Sequence, residues 1–126
     1  MIRIILFDDN KGFRKSLTDF FKTSDDIYVA AGFDNANNAA SHVKEYNPDV
    51  VLMDIQMPGK TGLEALEEIQ KSASSAKVLM LTSFDDDDKI FAALCNRAYG
   101  YLLKSSSADE IHQAILDVHH GGRYLT

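Results

Sequence analysis

Five short apolar runs recur along this chain: residues 2–7 (IRIILF), 27–31 (IYVAA), 50–53 (VVLM), 78–81 (VLML) and 99–103 (YGYLL). Most are continuous rather than alternating, the pattern of strands covered on both faces, as in a parallel sheet. Between them apolar residues return at helical spacing. Phe13, Leu17, Phe20 and Phe21 fall at i, i+4, i+7 and i+8; Ala36, Ala39, Ala40 and Val43 share a face, as do Leu63, Leu66 and Ile69. Ile90, Phe91 and Leu94 follow, then Ile111, Ala114, Ile115 and Val118. The alternation predicts (βα)5. Strand, helix, strand units cross over right-handedly, so the expected fold class is α/β, a doubly wound parallel sheet with helices on both faces.

The punctuation agrees. Asn47-Pro48 stops the second helix, Met57-Pro58-Gly59 marks a turn after the third strand, and Ser107-Ala108-Asp109-Glu110 has the form of a capping box opening the last helix. Gly121-Gly122 would close that helix. The 126 residues show no internal repeat and no dividing linker, so 1–126 reads as one domain. Hydrophobic residues at 45% and charged residues at 25% suit a globular domain with a packed core.

Thirteen Lys plus Arg against nineteen Asp plus Glu give a net charge of −6, which repels polyanions and argues against direct nucleic-acid binding by this segment. A single cysteine, Cys95, makes no internal disulfide, and no apolar run approaches the ~20 residues that span a bilayer. Met1 leads straight into the first strand without a basic flank, a long apolar region or a small-residue cleavage site. The expectation is a reducing cytoplasm and no membrane contact.

In doubly wound sheets, ligands sit outside the carboxyl ends of the strands. The polar residues at those ends are Asp8, Asp9 and Asn10 after the first strand, Asp54 after the third, Thr82 and Ser83 after the fourth, and Lys104 after the fifth. The second strand's end, Gly32-Phe33-Asp34, adds little. Two unit charges ~5 Å apart at an effective dielectric near 20 interact by roughly 3 kcal/mol, so three clustered carboxylates need a cation. All-oxygen ligands favour a hard ion, and a small open site that keeps several waters favours Mg2+ over Ca2+. An aspartate beside Mg2+ and Lys104 is equipped to attack phosphorus, with Thr82 donating to a transferring oxygen. A phosphoryl group on Asp54 would leave a formal charge of about −1 with Mg2+ and about −3 without it, so the modification should require magnesium.

Each signal has a plainer reading on its own. A lone Asp or Thr after a strand is commonly a helix cap, and a terminal Lys is commonly solvated. The joint occurrence at four strand ends favours function. The run Asp85 to Asp88 invites a metal, but acidic residues in a first helical turn complement the helix dipole, and that is the reading adopted. His42, His112, His119 and His120 lack metal-ligand or triad spacing and are assigned structural roles; two of them suit the last helix's C-terminus. Cys95 reads as a packed small hydrophobe. There is no G-x-S-x-G, Walker A or G-x-G-x-x-G motif.

Four segments together resemble the receiver domain of two-component response regulators. They are Phe7-Asp8-Asp9-Asn10; residues 49–59 (DVVLMDIQMPG) with Thr61-Gly62-Leu63; Leu81-Thr82-Ser83; and residues 98–104 (AYGYLLK). The resemblance implies a flavodoxin-like (CheY-like) sheet with strand order 2-1-3-4-5, and a phosphoryl group accepted by Asp54 from a sensor histidine kinase. It implies Mg2+ held by Asp9, Asp54 and the backbone carbonyl of Gln56, with Asp8 acting mainly through water. Lys104 would pair with the phosphoryl oxygens. Thr82 would swing toward them and Tyr101 follow inward, re-facing the surface of the fourth helix, fifth strand and fifth helix. Such a domain is a signalling switch that catalyses only its own phosphorylation and dephosphorylation.

The stretch from Gly100 to Lys104, with Ala114-Ile115 and residues 121–125 (GGRYL), is similar to the NarL/FixJ subfamily, which includes LuxR-type regulators. That similarity implies a C-terminal helix-turn-helix DNA-binding domain beyond Thr126 and control of transcription; the alternative is a regulator made of this domain alone. Apolar spacing on the first and last helices leaves room for a homodimer. Ser105 follows Lys104 where many receivers have proline, which bears on a cis peptide there, since a non-proline cis bond costs ~3 kcal/mol. Asn96-Arg97 stands where small residues with glycine are common, and Gln56 and Phe84 occupy positions that tune water access. Two other functions make different demands on these residues. A Mg2+-dependent phosphatase with an aspartate nucleophile wants a second acid two residues on, where Gln56 stands. A receiver-like binding module without phosphorylation would have no need of the five site residues, all present here.

Overall fold

Successive strand residues point to opposite faces of a sheet, and in β1 (Ile2–Phe7) both sets are buried apart from Arg3. β3 (Val50–Asp54) is buried throughout, and β4 (Lys77–Thr82) at every position but the first. Strands of this kind belong inside a sheet covered on both sides. The computed structural model describes residues 1–72, 74–83, 92, 97–122 and 124–125, the last two by backbone alone. With β2 (Ile27–Phe33), β5 (Gly100–Leu103) and β6 (Tyr124–Leu125), its strands pair in parallel in the order β2-β1-β3-β4-β5-β6.

Four helices are described: α1 (Lys11–Phe21), α2 (Ala39–Tyr46), α3 (Gly62–Lys71) and α4 (Ala108–His119). α1 and α4 pack Leu17, Phe21, Ile111, Ala114, Ile115 and Val118 onto the face made by Ile4, Leu6, Leu52, Leu79, Leu81 and Leu102. α2 and α3 pack Ala39, Val43, Ala65, Leu66 and Ile69 onto the opposite face, made by Ile5, Phe7, Val51, Met53, Val78 and Met80. Full burial of one such side chain contributes about 1.5–3 kcal/mol, so this two-sided core dominates the stability. It is the expected doubly wound fold with strand order 2-1-3-4-5. The fourth expected helix, over Ile90, Phe91 and Leu94, lies outside the described residues, as do the Asp85 to Asp88 run, Phe84, Cys95 and Asn96.

Local chemistry fixes the helix ends. The capping box foreseen at Ser107 is present, Glu110 N–H donating to Ser107 Oγ at 3.1 Å and Ser107 N–H to Glu110 Oε1 at 3.1 Å. Thr61 and Glu64 form a second box at the start of α3. Gly121, at φ +95°, donates to the Val118 carbonyl, and Gly122 N–H to that of Asp117, the Schellman closure of α4. A cation at this C-terminus is Lys77 of β4, whose ammonium donates to the Val118 and His119 carbonyls at 3.3 and 3.2 Å. His112 bonds Asp26 at 2.9 Å, and the His42 ring stacks on Phe33 with centroids 3.8 Å apart, so both histidines have structural partners.

Some details differ from the sequence reading. β2 runs through Gly32 and Phe33, and β6 adds a sixth strand beside β5. Ala36 is buried but precedes α2, its carbonyl accepting from Ala39 N–H in the turn that enters the helix. Among the described residues every peptide bond is trans, that between Lys104 and Ser105 included. The exposed large hydrophobics found there are Met1 and Tyr28, so the apolar stripes of α1 and α4 are spent on the core. No described helix is long and apolar enough to cross a membrane.

Candidate functional site

Parallel pairing puts every strand's carboxyl end on one rim. Leu6, Leu52 and Leu102 all face α1 and α4; two residues beyond them stand Asp8, Asp54 and Lys104, and strand alternation turns these the same way. The result is an ion cluster between partly desolvated groups. Lys104 Nζ lies 2.9 Å from Asp8 Oδ2, 3.0 Å from Asp8 Oδ1 and 3.6 Å from Asp54 Oδ2. Asp8 is fully buried and Asp54 is 4% exposed. Asp9 is exposed at the mouth, and oxygens of Asp8, Asp9 and Asp54 lie within 4.8 Å of one another.

The backbone holds these carboxylates in place. Asp8 Oδ1 accepts the N–H of Asn10 at 2.8 Å, and Asp54 Oδ1 that of Gln56 at 3.3 Å. Burial, then the neighbouring Asp8 charge, push the Asp54 carboxyl up to about 6; Lys104 and the Gln56 N–H work against that rise, and Asp9 adds to it. For Lys104, burial disfavours the charge, but the hydrogen bond and charge of Asp8, with the charges of Asp54 and Asp9, outweigh it and raise its pKa. Near neutral pH Asp54 is therefore mostly ionised and Lys104 is charged. An all-oxygen set with one exposed member suits a hard divalent cation that keeps water.

Thr82 stands on the other face parity. Asp54 pairs with Leu81, whereas Thr82 pairs with Leu103, and its main-chain carbonyl accepts from Lys104 N–H at 2.8 Å. With Asp54, Gln56 and Ser83 it bounds a cleft of about 20 Å³, room for roughly one water. Tyr101 lies outside that cleft. It sits half-buried on β5, two residues from Leu103 and so on Thr82's face, packed against the core beneath α2 and α3.

Three neighbours of the site were not foreseen as parts of it. The Phe13 ring lies under the Lys104 ammonium, 4.8 Å from Nζ to centroid, a cation–π contact. Arg14 Nη1 donates to the Asp8 carbonyl at 2.7 Å. Gly62, which opens α3, donates its N–H to the Ile55 carbonyl at 2.8 Å and packs onto the backbone of Asp54. The helical phase placed Phe13 with Leu17, and the segment containing Gly62 was singled out by resemblance; nothing in the sequence pointed to Arg14.

Comparison with known proteins identifies the family and the fold. Residues 4–116 match the response regulator receiver domain. The chain is 44% identical over 125 residues to the transcriptional regulatory protein LnrK of Bacillus subtilis, across 99% of this chain and 57% of LnrK. It is 40% identical over 115 residues to LiaR of the same organism, across 91% of this chain and 54% of LiaR. The chain thus spans a little over half the length of these curated relatives. Among solved structures, the NarL signal receiver domain of Mycobacterium tuberculosis superposes with a TM-score of 0.90 at 30% identity, covering 95% of this chain and 97% of that one. A LuxR-family DNA-binding response regulator from Staphylococcus aureus gives 0.88 at 34% identity, covering 94% and 99%. With the fold, the rim of strand ends and the match over residues 4–116 in accord, the chain belongs to the response regulator receiver domain family of two-component systems.

Proposed function

We propose that Asp54 is the phosphoacceptor of a Mg2+-dependent switch and that its donor is a phosphohistidine on a sensor kinase. An Asp54 oxygen forms the new P–O bond as the donor's P–N bond breaks; the imidazole nitrogen leaves with the electron pair and takes a proton from solvent. The observation that carries this reading is the convergence of the Asp8, Asp9 and Asp54 oxygens within 4.8 Å beside the Lys104 ammonium. Asp9, Asp54 and the Gln56 carbonyl are the groups assigned to hold Mg2+, with Asp8 acting through water. Bound there, the ion would supply positive charge against the transferring oxygens.

Lys104 is the second positive charge, already within 3.6 Å of Asp54. Thr82 lines the cleft that also takes in Asp54, which supports its assignment as the donor to a phosphoryl oxygen. A shift of Thr82 would be felt by Tyr101 on the same face of β5, and the surface of the expected fourth helix, β5 and the last helix, α4, would carry the signal outward. The LnrK and LiaR relatives are transcriptional regulatory proteins nearly twice as long as the matched region, which supports a transcriptional output through a DNA-binding domain beyond Thr126. The deciding experiment is labelling with acetyl phosphate, followed by intact mass. Mg2+-dependent gain of one phosphoryl group, lost in Asp54→Asn and on chelation, is expected; an equal gain in Asp54→Asn would refute the acceptor.

A further inference from the structure

We propose that Arg14 is a positioning residue of the acidic site: its guanidinium fixes the peptide between Asp8 and Asp9, and with it the direction of the carboxylates offered to a divalent cation. The inference rests on the reading of the site as a Mg2+-dependent phosphoacceptor. Asp8 and Asp9 are adjacent yet differ completely in exposure, one buried and one open, so the backbone between them decides whether their oxygens converge. That backbone is pinned from several sides. Asp8 N–H donates to the Phe33 carbonyl at 3.0 Å, Asn10 N–H donates back to Asp8 Oδ1, and Arg14 Nη1 takes the Asp8 carbonyl at 2.7 Å. The last contact is charge-assisted and part-buried, the stronger class of hydrogen bond.

The path of the side chain supports a built contact. Arg14 lies on α1 one turn past the cap residue Asn10, and its stem rests at Gly32, where an added Cβ would stand 3.7 Å from Arg14 Cδ. The guanidinium meets a main-chain carbonyl, and among the described residues no ion pair joins it to a carboxylate. A mere countercharge would be expected on Asp8 or Asp9 themselves.

The two roles have opposite signs, which makes the proposal testable. Deleting a positive charge beside an acidic site tightens cation binding by itself; losing the anchor of a ligand-bearing backbone weakens it. Mg2+ is titrated calorimetrically into the wild-type domain, Arg14→Met and Arg14→Lys, with far-UV circular dichroism confirming the fold of each. Arg14→Met is expected to bind Mg2+ about tenfold more weakly despite its lost positive charge, and Arg14→Lys to recover to within about threefold. In acetyl phosphate labelling the half-saturating Mg2+ concentration should rise with the maximal rate unchanged. Equal or tighter Mg2+ binding by folded Arg14→Met overturns the proposal; should that variant not fold, the same result in Arg14→Gln does so. Wild type that binds no Mg2+ at millimolar concentration overturns the reading of the site itself, and this inference with it.

Discussion

A Cβ placed on Gly62 would stand 2.0 Å from the carbonyl oxygen of Asp54 and 2.9 Å from the Cα of Ile55. The first turn of α3 is thus laid directly on the peptide that carries the site's central carboxylate, and only hydrogen fits between them. The obstacle is backbone, which a side-chain rotation cannot relieve. Gly62→Ala is therefore expected to cost about 2–4 kcal/mol in urea unfolding, at or beyond the upper end of overpacking, although alanine is the better helix former. Its Mg2+ affinity should fall as well, because the strain is released at Asp54. A variant as stable as wild type would show that α3 does not press on this peptide. Gly121→Ala is the control: nothing lies within 4 Å, and only its φ of +95° opposes a side chain, a cost of about 1–2 kcal/mol.

Lys104 meets Asp8 more closely than it meets Asp54, 2.9 Å against 3.6 Å. In the metal-free domain it therefore serves first as the partner of a fully buried carboxylate. Lys104→Met removes that partner and leaves the Asp8 carboxylate with the Asn10 N–H alone among the described residues. Breaking a buried pair from one side typically costs 3–5 kcal/mol; the mouth of this site is open to water, so about 2–3 kcal/mol is expected. Saturating Mg2+ should restore part of the loss by supplying the missing charge. Unfolding curves with and without Mg2+ measure both, and a loss unaffected by the metal would mean that the Lys104 stem, not its ammonium, matters to stability.

Asp54 gives a pH dependence of definite sign. Its folded-state pKa, about 6, exceeds the ordinary 3.8, so between about pH 4 and 6 the folded chain holds more protons than the unfolded one. Stability contributed by this group consequently falls as pH rises through that window and stays low above it. At pH 7 the buried carboxylate costs on the order of 1–3 kcal/mol. Asp54→Asn, in chelator, should be more stable than wild type by that amount at pH 7, with the gap closing toward pH 4.5. The other titrating groups are common to both proteins and largely cancel. A gap that does not change with pH would place the Asp54 carboxyl in the ordinary range.

The charged residues of the site could be read from the sequence for a topological reason. Parallel strands all end on one rim, so Asp8, Asp9, Asp54 and Lys104 needed only their positions after apolar runs to be brought together. Phe13 and Arg14 depend instead on how α1 docks. Helical phase places Phe13 on the apolar stripe with Leu17, but the Lys104 ammonium above its ring follows from the helix's tilt and depth, which spacing does not encode. The Thr61 and Glu64 box carries the same signal as the Ser107 and Glu110 box, but it follows so closely on the Pro58-Gly59 turn that the helix start is hidden in the turn signal. β6 contributes two residues after a glycine pair, too short for any periodicity. β2 continues through Gly32, normally a strand breaker, where the stem of Arg14 lies in ordinary van der Waals reach of the position a Cβ would take.

Arg97 shows where the sequence departs from local preference. It adopts φ +69°, in the left-handed region where an L side chain crowds its own carbonyl, at a cost of roughly 1–2 kcal/mol. Its side chain is exposed, so no burial offsets that strain. The turn it occupies leads through Ala98, buried, to Tyr99, whose N–H donates to the Val78 carbonyl at 2.8 Å just before β5 begins. Arg97 thus holds this conformation just ahead of a strand registered against β4 by the pairing of Gly100 with Leu79. Arg97→Gly should relieve it and stabilise the domain by about 0.5–1 kcal/mol, the gain being reduced by the greater freedom of glycine in the unfolded chain. Arg97→Ala, which trims the side chain and keeps the Cβ, should show no such gain. Equal stabilisation of both variants in urea melts would trace the effect to the arginine's charge or length and remove backbone strain as its cause.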